Sequence, residues 1–391
     1  MRLRVQIPSV QPDQFHALPA HCPNPKQACQ GVTFRRFGKP GKNLRDPYVT
    51  HVKAQRWQCT VCKSTFRVYP VGVTKRQQSL RLQGLSVFFW TLGMSLGAVT
   101  DALDPLGCRL GRSTVFGNLQ QTGTVARRKL RARLRSKMKV RVVAMDFTHV
   151  AEQGKDIAVM HATDAGTGMT LEITPLHAED EHTVSRYVRR MAKLTGCEVI
   201  VSDDADVFKA AADAAGVQHQ ICQRHVVPNT LTLLSEIVEQ IEDLPPHLSS
   251  PQGLSVAQAF DDIALLEETI LARASGSQRH LDDLCRRYQG APVPKRGVKA
   301  SPWYRLRLLT LDLAEDWPRL TLTDRYRDKE GKRLVPATNN VSERGIGLNI
   351  KERYRTMRGY KSTTSLRCTP ALTAYLREHP GAECFSGLLA A

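Results

Sequence analysis

The chain has 391 residues, 41% of them apolar, and a net charge of +19. At roughly 100–200 residues per domain this allows two to four domains, with enough apolar content for a substantial core. No apolar run is long enough to span a bilayer, and no N-terminal apolar segment marks a secretory leader. The expectation is a cytoplasmic protein that uses no membrane.

The charge is unevenly spread. Residues 1–140 carry 25 Lys and Arg against 4 Asp and Glu, and the rest of the chain carries 31 against 33. A one-sided excess of this size points to a polyanionic partner, nucleic acid before an anionic membrane, because no long basic amphipathic helix with an aromatic face is present.

Residues 1–75 are rich in Pro, Gly, Arg and Cys. Cys22 and Cys29 form one close pair, and Cys59 and Cys62 another. Two pairs of thiolates suit tetrahedral Zn²⁺, which would staple a segment with little core of its own. The six residues between Cys22 and Cys29 exceed the usual spacing, so His21 is an alternative ligand. The six other cysteines stand singly, which is not the pattern of a disulfide framework.

Residues 76–139 read as helical. A helix from Leu92 to Leu103, a turn at Leu106–Gly111 and a second helix from Arg112, with Ser113 as N-cap, match a helix-turn-helix. Val115 and Leu119 would pack inward. Arg112, Thr114, Asn118 and Gln121 would face out, toward phosphates or base edges. The basic run Arg127–Lys139 follows. An ordinary helical hairpin has the same pattern.

From Val140 the periodicity alternates. Strands are expected at Val140–Met145, Ile157–Ala162, Met169–Thr174, Cys197–Ser202 and Gln218–Cys222, and helices at Glu181–Leu194 and Val207–Ala215. Three consecutive strands followed by alternating units predict a mixed α/β sheet with helices on its faces. Residues 226–325 read as helical, with breaks near Pro245-Pro246 and between Gly290 and Pro302. A polar loop then leads to a helix from Val341 to Arg355.

Asp146 would end the first of these strands and Asp203 the fourth. If those strands are parallel neighbours, both carboxylates emerge at one edge, where their repulsion calls for cations. Mg²⁺ prefers such oxygen ligands. Asp204 competes with Asp203 for this role. Glu343 lies in Thr338-Asn-Asn-Val-Ser-Glu343-Arg. There it reads either as a third metal ligand or as the N3 residue of a capping box with Asn340 as N-cap. Glu352 is a rival carboxylate on the same helix. Arg344, Lys351, Arg353, Arg355 and Arg358 supply charge for a phosphate backbone.

Taken together, Met-Asp146, Val-Ser-Asp203, Cys222-Gln-Arg-His225 and Thr-Asn-Asn-Val-Ser-Glu343-Arg, after the cysteine pairs and the helix-turn-helix pattern, resemble bacterial insertion-sequence transposases of the DDE class, in the branch related to Mutator elements. The resemblance implies a ribonuclease H-like mixed sheet with a mostly helical insertion, preceded by a zinc ribbon and a helix-turn-helix. The domains would be residues 1–75 (zinc ribbon), 76–139 (helix-turn-helix and basic linker), 140–228 (catalytic, first part), 229–335 (helical insertion) and 336–391 (catalytic, second part). It implies Asp146, Asp203 and Glu343 as ligands of Mg²⁺ or Mn²⁺, with Lys351 and Arg355 on DNA. The partners would be terminal inverted repeats and target DNA, held in a homodimer or larger synaptic assembly. Cys222 and His225 match a cysteine-histidine pair of that branch. Read by themselves, they are equally a buried small residue and a hydrogen-bonding histidine. The alternatives are a ribonuclease H-like nuclease without strand transfer and a DNA-binding regulator with an inactive catalytic domain.

Overall fold

Val142, Val199 and Val201 turn to one face of a five-stranded sheet, and Val143, Met145 and Ile200 to the other. This alternation on strands buried on both sides is what helices on two faces require. The computed structural model describes residues 5–25, 28–136, 138–274, 276–357, 359–379 and 382–389. About 49% of the chain is helix and 18% strand, a mixed α/β protein. Arg358, expected among the DNA-contacting cations, lies outside the described residues. No helix among them is long and apolar enough to cross a membrane.

The chain divides into two compact units, one of residues 1–132, 150–156 and 347–391, the other of residues 133–149 and 157–346. The Glu343 segment belongs to the second unit, and everything from Gly347 onward, Lys351 and Arg355 included, belongs to the first.

In the second unit the sheet order is Thr170–Pro175, Lys155–Asp164, Val142–Glu152, Val199–Ser202, Gln218–Ile221. The last two strands run parallel, and Val199–Ser202 is parallel to Val142–Glu152, whereas Thr170–Pro175 is antiparallel to its neighbour. The first strand does not end at Asp146. It continues to Glu152 because Gln153 and Gly154, at φ 52° and 80°, close a tight turn into the next strand. Helix Glu181–Thr195 puts Val184, Val188 and Met191 into the sheet core, and Phe208 of helix Asp206–Ala215 joins them. Asp180 caps the first of these helices by accepting from Thr183 N (2.7 Å).

Helices Gln223–Glu242, Val256–Ala272, Ser277–Tyr288 and Pro302–Leu320 form a separate core around Ile237, Leu266, Leu281, Tyr288 and Leu313. Asp262 is buried within it, paired with Arg287 and accepting from Tyr288 Oη (2.8 Å). A buried carboxylate is tolerable only with such partners.

The first unit begins with short strands. Phe34–Gly38, Gln55–Cys59 and Thr65–Val68 form one antiparallel sheet, and the small core beside them is Val10, Leu44, Val52 and Val73. Helices Leu80–Thr91 and Leu96–Leu103 follow, then Arg112–Arg135. The expected helix Leu92–Leu103 is thus split. Leu92 closes the preceding helix, Gly93 takes φ 113°, and Ser95 caps the next helix by accepting from Ala98 N. Ser113 is not the cap of the third helix. Gly111 O accepts from Thr114 N and Val115 N, so the cap falls at Gly111. That helix runs unbroken through the basic stretch to Arg135, with Leu119, Val125, Ala126 and Leu130 on its buried side. Helix Thr363–Glu378 packs closely on it: a Cβ at Gly123 would lie 2.6 Å from the Cys368 carbonyl oxygen.

Candidate active site and metal centres

Cys59 ends a strand and Cys62 lies in the turn that follows, where Lys63 N donates to Cys59 O and Lys63 adopts φ 59°. Cys22 is held by its own N–H to Gly31 O (2.8 Å). Cys22 Sγ lies 3.6 Å from Cys62 Sγ, and Cys29 Sγ 3.8 Å from Cys59 Sγ. All four sulfurs fall within 4.8 Å of one another, and His21 is not of the group. A tetrahedron with 2.3 Å Zn–S bonds has sulfur–sulfur edges of about 3.8 Å, so the group could hold zinc. Gly31 is required here, since a Cβ would stand 2.7 Å from Cys59 Sγ. Without a cation the thiols ionise unequally. Hydrogen bonds from the Ser64 side chain and backbone bring Cys62 down to about 6. At Cys22 the lowering by a hydrogen bond from the Asn24 backbone is outweighed by desolvation and the neighbouring thiols Cys62 and Cys59, and its pKa is pushed up to about 12. A divalent ion removes that conflict by favouring every thiolate.

The second concentration of reactive side chains is at the sheet. Val142, Val143 and Ala144 pair with Val199, Ile200 and Val201 in parallel register. Asp146 comes two residues after the last of these pairs on its strand, and Asp203 two residues after it on the other side, just past the strand end. The carboxyl group of Asp203 is pushed above the usual carboxylate range by burial, against the Ala205 N–H and the charge of His225. Asp204 is turned elsewhere: its carboxylate pairs with Lys209 (2.8 Å), which also holds Asp316 (2.6 Å).

Glu343 sits in the short helix Asn340–Ile346, and this helix is tied down at three strands. Asn339 Nδ2 donates to Met145 O (2.9 Å), the carbonyl just before Asp146. Asn339 N donates to Cys222 Sγ (3.2 Å), just past the last strand. The Ser342 hydroxyl lies 3.1 Å from His161 Nδ1, on the strand between Val142–Glu152 and Thr170–Pro175. Gly345 lets the helix settle there, because a Cβ would be 2.2 Å from the imidazole of His161. Burial holds that imidazole down at about 4, so it serves as a neutral hydrogen-bonding group. Gln223 N donates to Ala337 O and Arg224 Nη1 to Asn340 Oδ1, which stitches the segment before Glu343 to the residues around Cys222.

The capping box is not formed. Asn339 O, not Asn340 O, accepts from Glu343 N (3.1 Å), so the cap is Asn339 and Glu343 is the fourth helical residue. The Glu343 carboxylate is free of a capping role, and its Oε1 is buried with no hydrogen-bond partner. It stands 3.5 Å from His225 Nε2, within ion-pair reach but too long for a good hydrogen bond. Among the described residues, two groups bring three or more ligand atoms within 4.8 Å of one another: the four cysteines, and Cys222 with His225 and Glu343. Asp146 and Asp203 are outside the second group. The rival Glu352 pairs with Arg377 and belongs to the first unit.

The residues expected on DNA divide by exposure. Arg112, Arg344, Lys351 and Arg355 are exposed, and Thr114 and Gln121 are half-buried. Asn118 does not face out. It is 1% exposed and bonded to Gln78 (2.5 Å) and Ser86 (2.9 Å), because helix Leu80–Thr91 covers that side. Arg353 is likewise buried, with its guanidinium over the Trp90 ring at 4.0 Å. Asn339, Ser342, Gly345 and His161 had no assigned role in the sequence. The sign of one was the run of hydrogen-bonding residues Thr338-Asn-Asn before a short helix. No protein-family model matches the chain, and no curated protein sequence matches it.

Proposed function

We propose that this chain is a DNA transposase of the DDE type, with a ribonuclease H-like catalytic core interrupted by the helical insertion, and a zinc ribbon and helix-turn-helix that bind the terminal inverted repeats of a mobile element. The observation that carries this reading is the parallel pairing of the strand that leads to Asp203 with the strand that carries Asp146, with the Glu343 helix tied through Asn339 to the carbonyl preceding Asp146. Asp146, Asp203 and Glu343 would hold Mg²⁺ or Mn²⁺. The donor set fits: three carboxylates, one raised in pKa by burial and one with an unpartnered buried oxygen, are groups that a hard cation satisfies. When bound, such ions stabilise the attacking and leaving oxygens of an in-line phosphoryl transfer.

The chain's own residues place the carboxylates and keep them apart from competing cations. Lys209 pairs with Asp204, which favours Asp203 as the ligand of the two. Exposed Arg112, Lys351 and Arg355 contact phosphates, and Asn118 keeps the helix-turn-helix packed rather than reading bases. One strand at the element end is hydrolysed, and the freed 3′-hydroxyl attacks target DNA. The element ends are paired in a homodimer or larger assembly.

The test uses labelled DNA from the ends of the element that carries the gene. Asp146→Asn, Asp203→Asn and Glu343→Gln should each lower Mg²⁺-dependent cleavage by about 10³-fold or more while end binding is kept. Variants that still join ends to target DNA at the wild-type rate overturn the mechanism. Cleavage without joining would mark a nuclease, and binding with no cleavage a regulator.

A further inference from the structure

Cys222 caps helix Gln223–Glu242, and His225 follows three residues later, so both side chains fall on one face of its first turn. Glu343 reaches the same place from a segment 117 residues away in the chain, held there by the bond from Asn339 N to Cys222 Sγ. The ligand atoms of the three lie within 4.8 Å of one another. One thiolate, one imidazole and one carboxylate are a three-ligand zinc set that leaves a fourth position open, and their two negative charges balance a divalent ion. Glu343 Oε1 is buried and unpartnered, and His225 Nε2 stands 3.5 Å away without closing a good hydrogen bond. Ligand bonds of about 2.0–2.3 Å to one ion need donor atoms somewhat closer than this limit, a change within reach of side-chain rotation.

We propose that Cys222, His225 and Glu343 form a second zinc site, and that zinc bound there withdraws Glu343 from the carboxylate pair and arrests phosphoryl transfer. The site itself stands on the geometry alone; the arrest rests on the transposase reading above. The discrimination is one of softness. Mg²⁺ keeps to oxygen ligands and gains nothing from a thiolate, whereas Zn²⁺ takes sulfur and nitrogen readily. Glu343 is thus shared between a hard site toward Asp146 and Asp203 and a soft one toward Cys222 and His225, and zinc excess shifts it to the second. Binding transfers no electrons; it exchanges a thiol proton for the metal and releases that proton to solvent.

Equilibrium dialysis of the full chain against micromolar zinc should give about two equivalents, one of them at the four cysteines, and about one equivalent for Cys222→Ser. His225→Gln, at a half-exposed side chain, should also bind about one, which guards against misfolding of the cysteine variant. A wild-type chain that binds one equivalent, or variants that keep two, overturn the site. In Mg²⁺ cleavage assays, micromolar zinc should slow the wild type at least about tenfold and each variant by less than about twofold, relative to its own zinc-free rate. Equal inhibition of wild type and variants overturns the arrest. If no protein cleaves at all, the transposase reading fails while the stoichiometry still decides the site.

Discussion

The four-cysteine group and the cluster around Glu343 are held together by opposite means. The first joins residues at most 40 apart in the chain, in a segment whose core is four valine and leucine side chains, and its four sulfurs could hold zinc. The second spans residues 117 to 194 apart and is fixed without any ion, by hydrogen bonds from Asn339 and Ser342 to three strands of a well-buried sheet. A metal held by the first would be part of the fold. A metal bound at the second, as proposed, would arrive at a framework already built and would be exchangeable.

This contrast can be broken most forcefully at Cys59. Cys59→Ser, or removal of zinc by a chelator, should unfold the segment up to residue 75, since structural zinc in small modules contributes about 10 kcal/mol or more. Limited proteolysis should then cut within that segment while the unit of residues 133–149 and 157–346 stays resistant. A segment that remains resistant after metal loss would show that its core suffices. The next effect in size is pH. His161 and His219 are held by burial down at about 4 and about 3, below the ordinary value near 6.5. The folded state therefore binds fewer protons than the unfolded one in this range. Stability is full above pH 6.5 and falls as pH drops toward 4, by about 3 kcal/mol for His161. Hydrogen exchange in strand Lys155–Asp164 should accelerate over that window, and His161→Gln should flatten the slope; an unaltered slope would remove His161 as its source. The smallest change expected is from Asn339→Ala. It removes the bond to the Met145 carbonyl, at a cost of about 0.5–1.5 kcal/mol, and should lower the urea midpoint of the sheet unit but not the zinc content of the cysteine group. An unchanged midpoint would mean that the tie to Met145 contributes nothing.

The legibility of these two regions in the sequence follows the same division. The cysteine pairs could be read directly, because close spacing is itself the geometry of a metal loop. The α/β order from Val142 to Ile221 was readable too, because apolar period and turn residues are local. Helix positions facing another helix were not. Asn118 carries the hydrogen-bonding side chain of a DNA reader, yet Gln78 and Ser86 bury it; Arg353 carries the charge of a phosphate contact, yet stacks under Trp90. Polarity predicts exposure only until a partner supplies the hydrogen bonds or the ring face that water would have given.

The order of residues dictates the set of chemistries: four thiols in two pairs, two aspartates that follow similar apolar runs, and a glutamate just inside a helix. Which carboxylates and thiols meet was decided only by tertiary structure. The strand before Asp203 paired in parallel with the strand of Asp146, Lys209 claimed Asp204, and Asn339 moved the helix start by one residue, which freed Glu343 from capping and left it beside Cys222 and His225. The physical reason is that a hydrogen bond between residues 194 apart leaves no trace in local spacing, yet it fixes a carboxylate as firmly as the turn beside it.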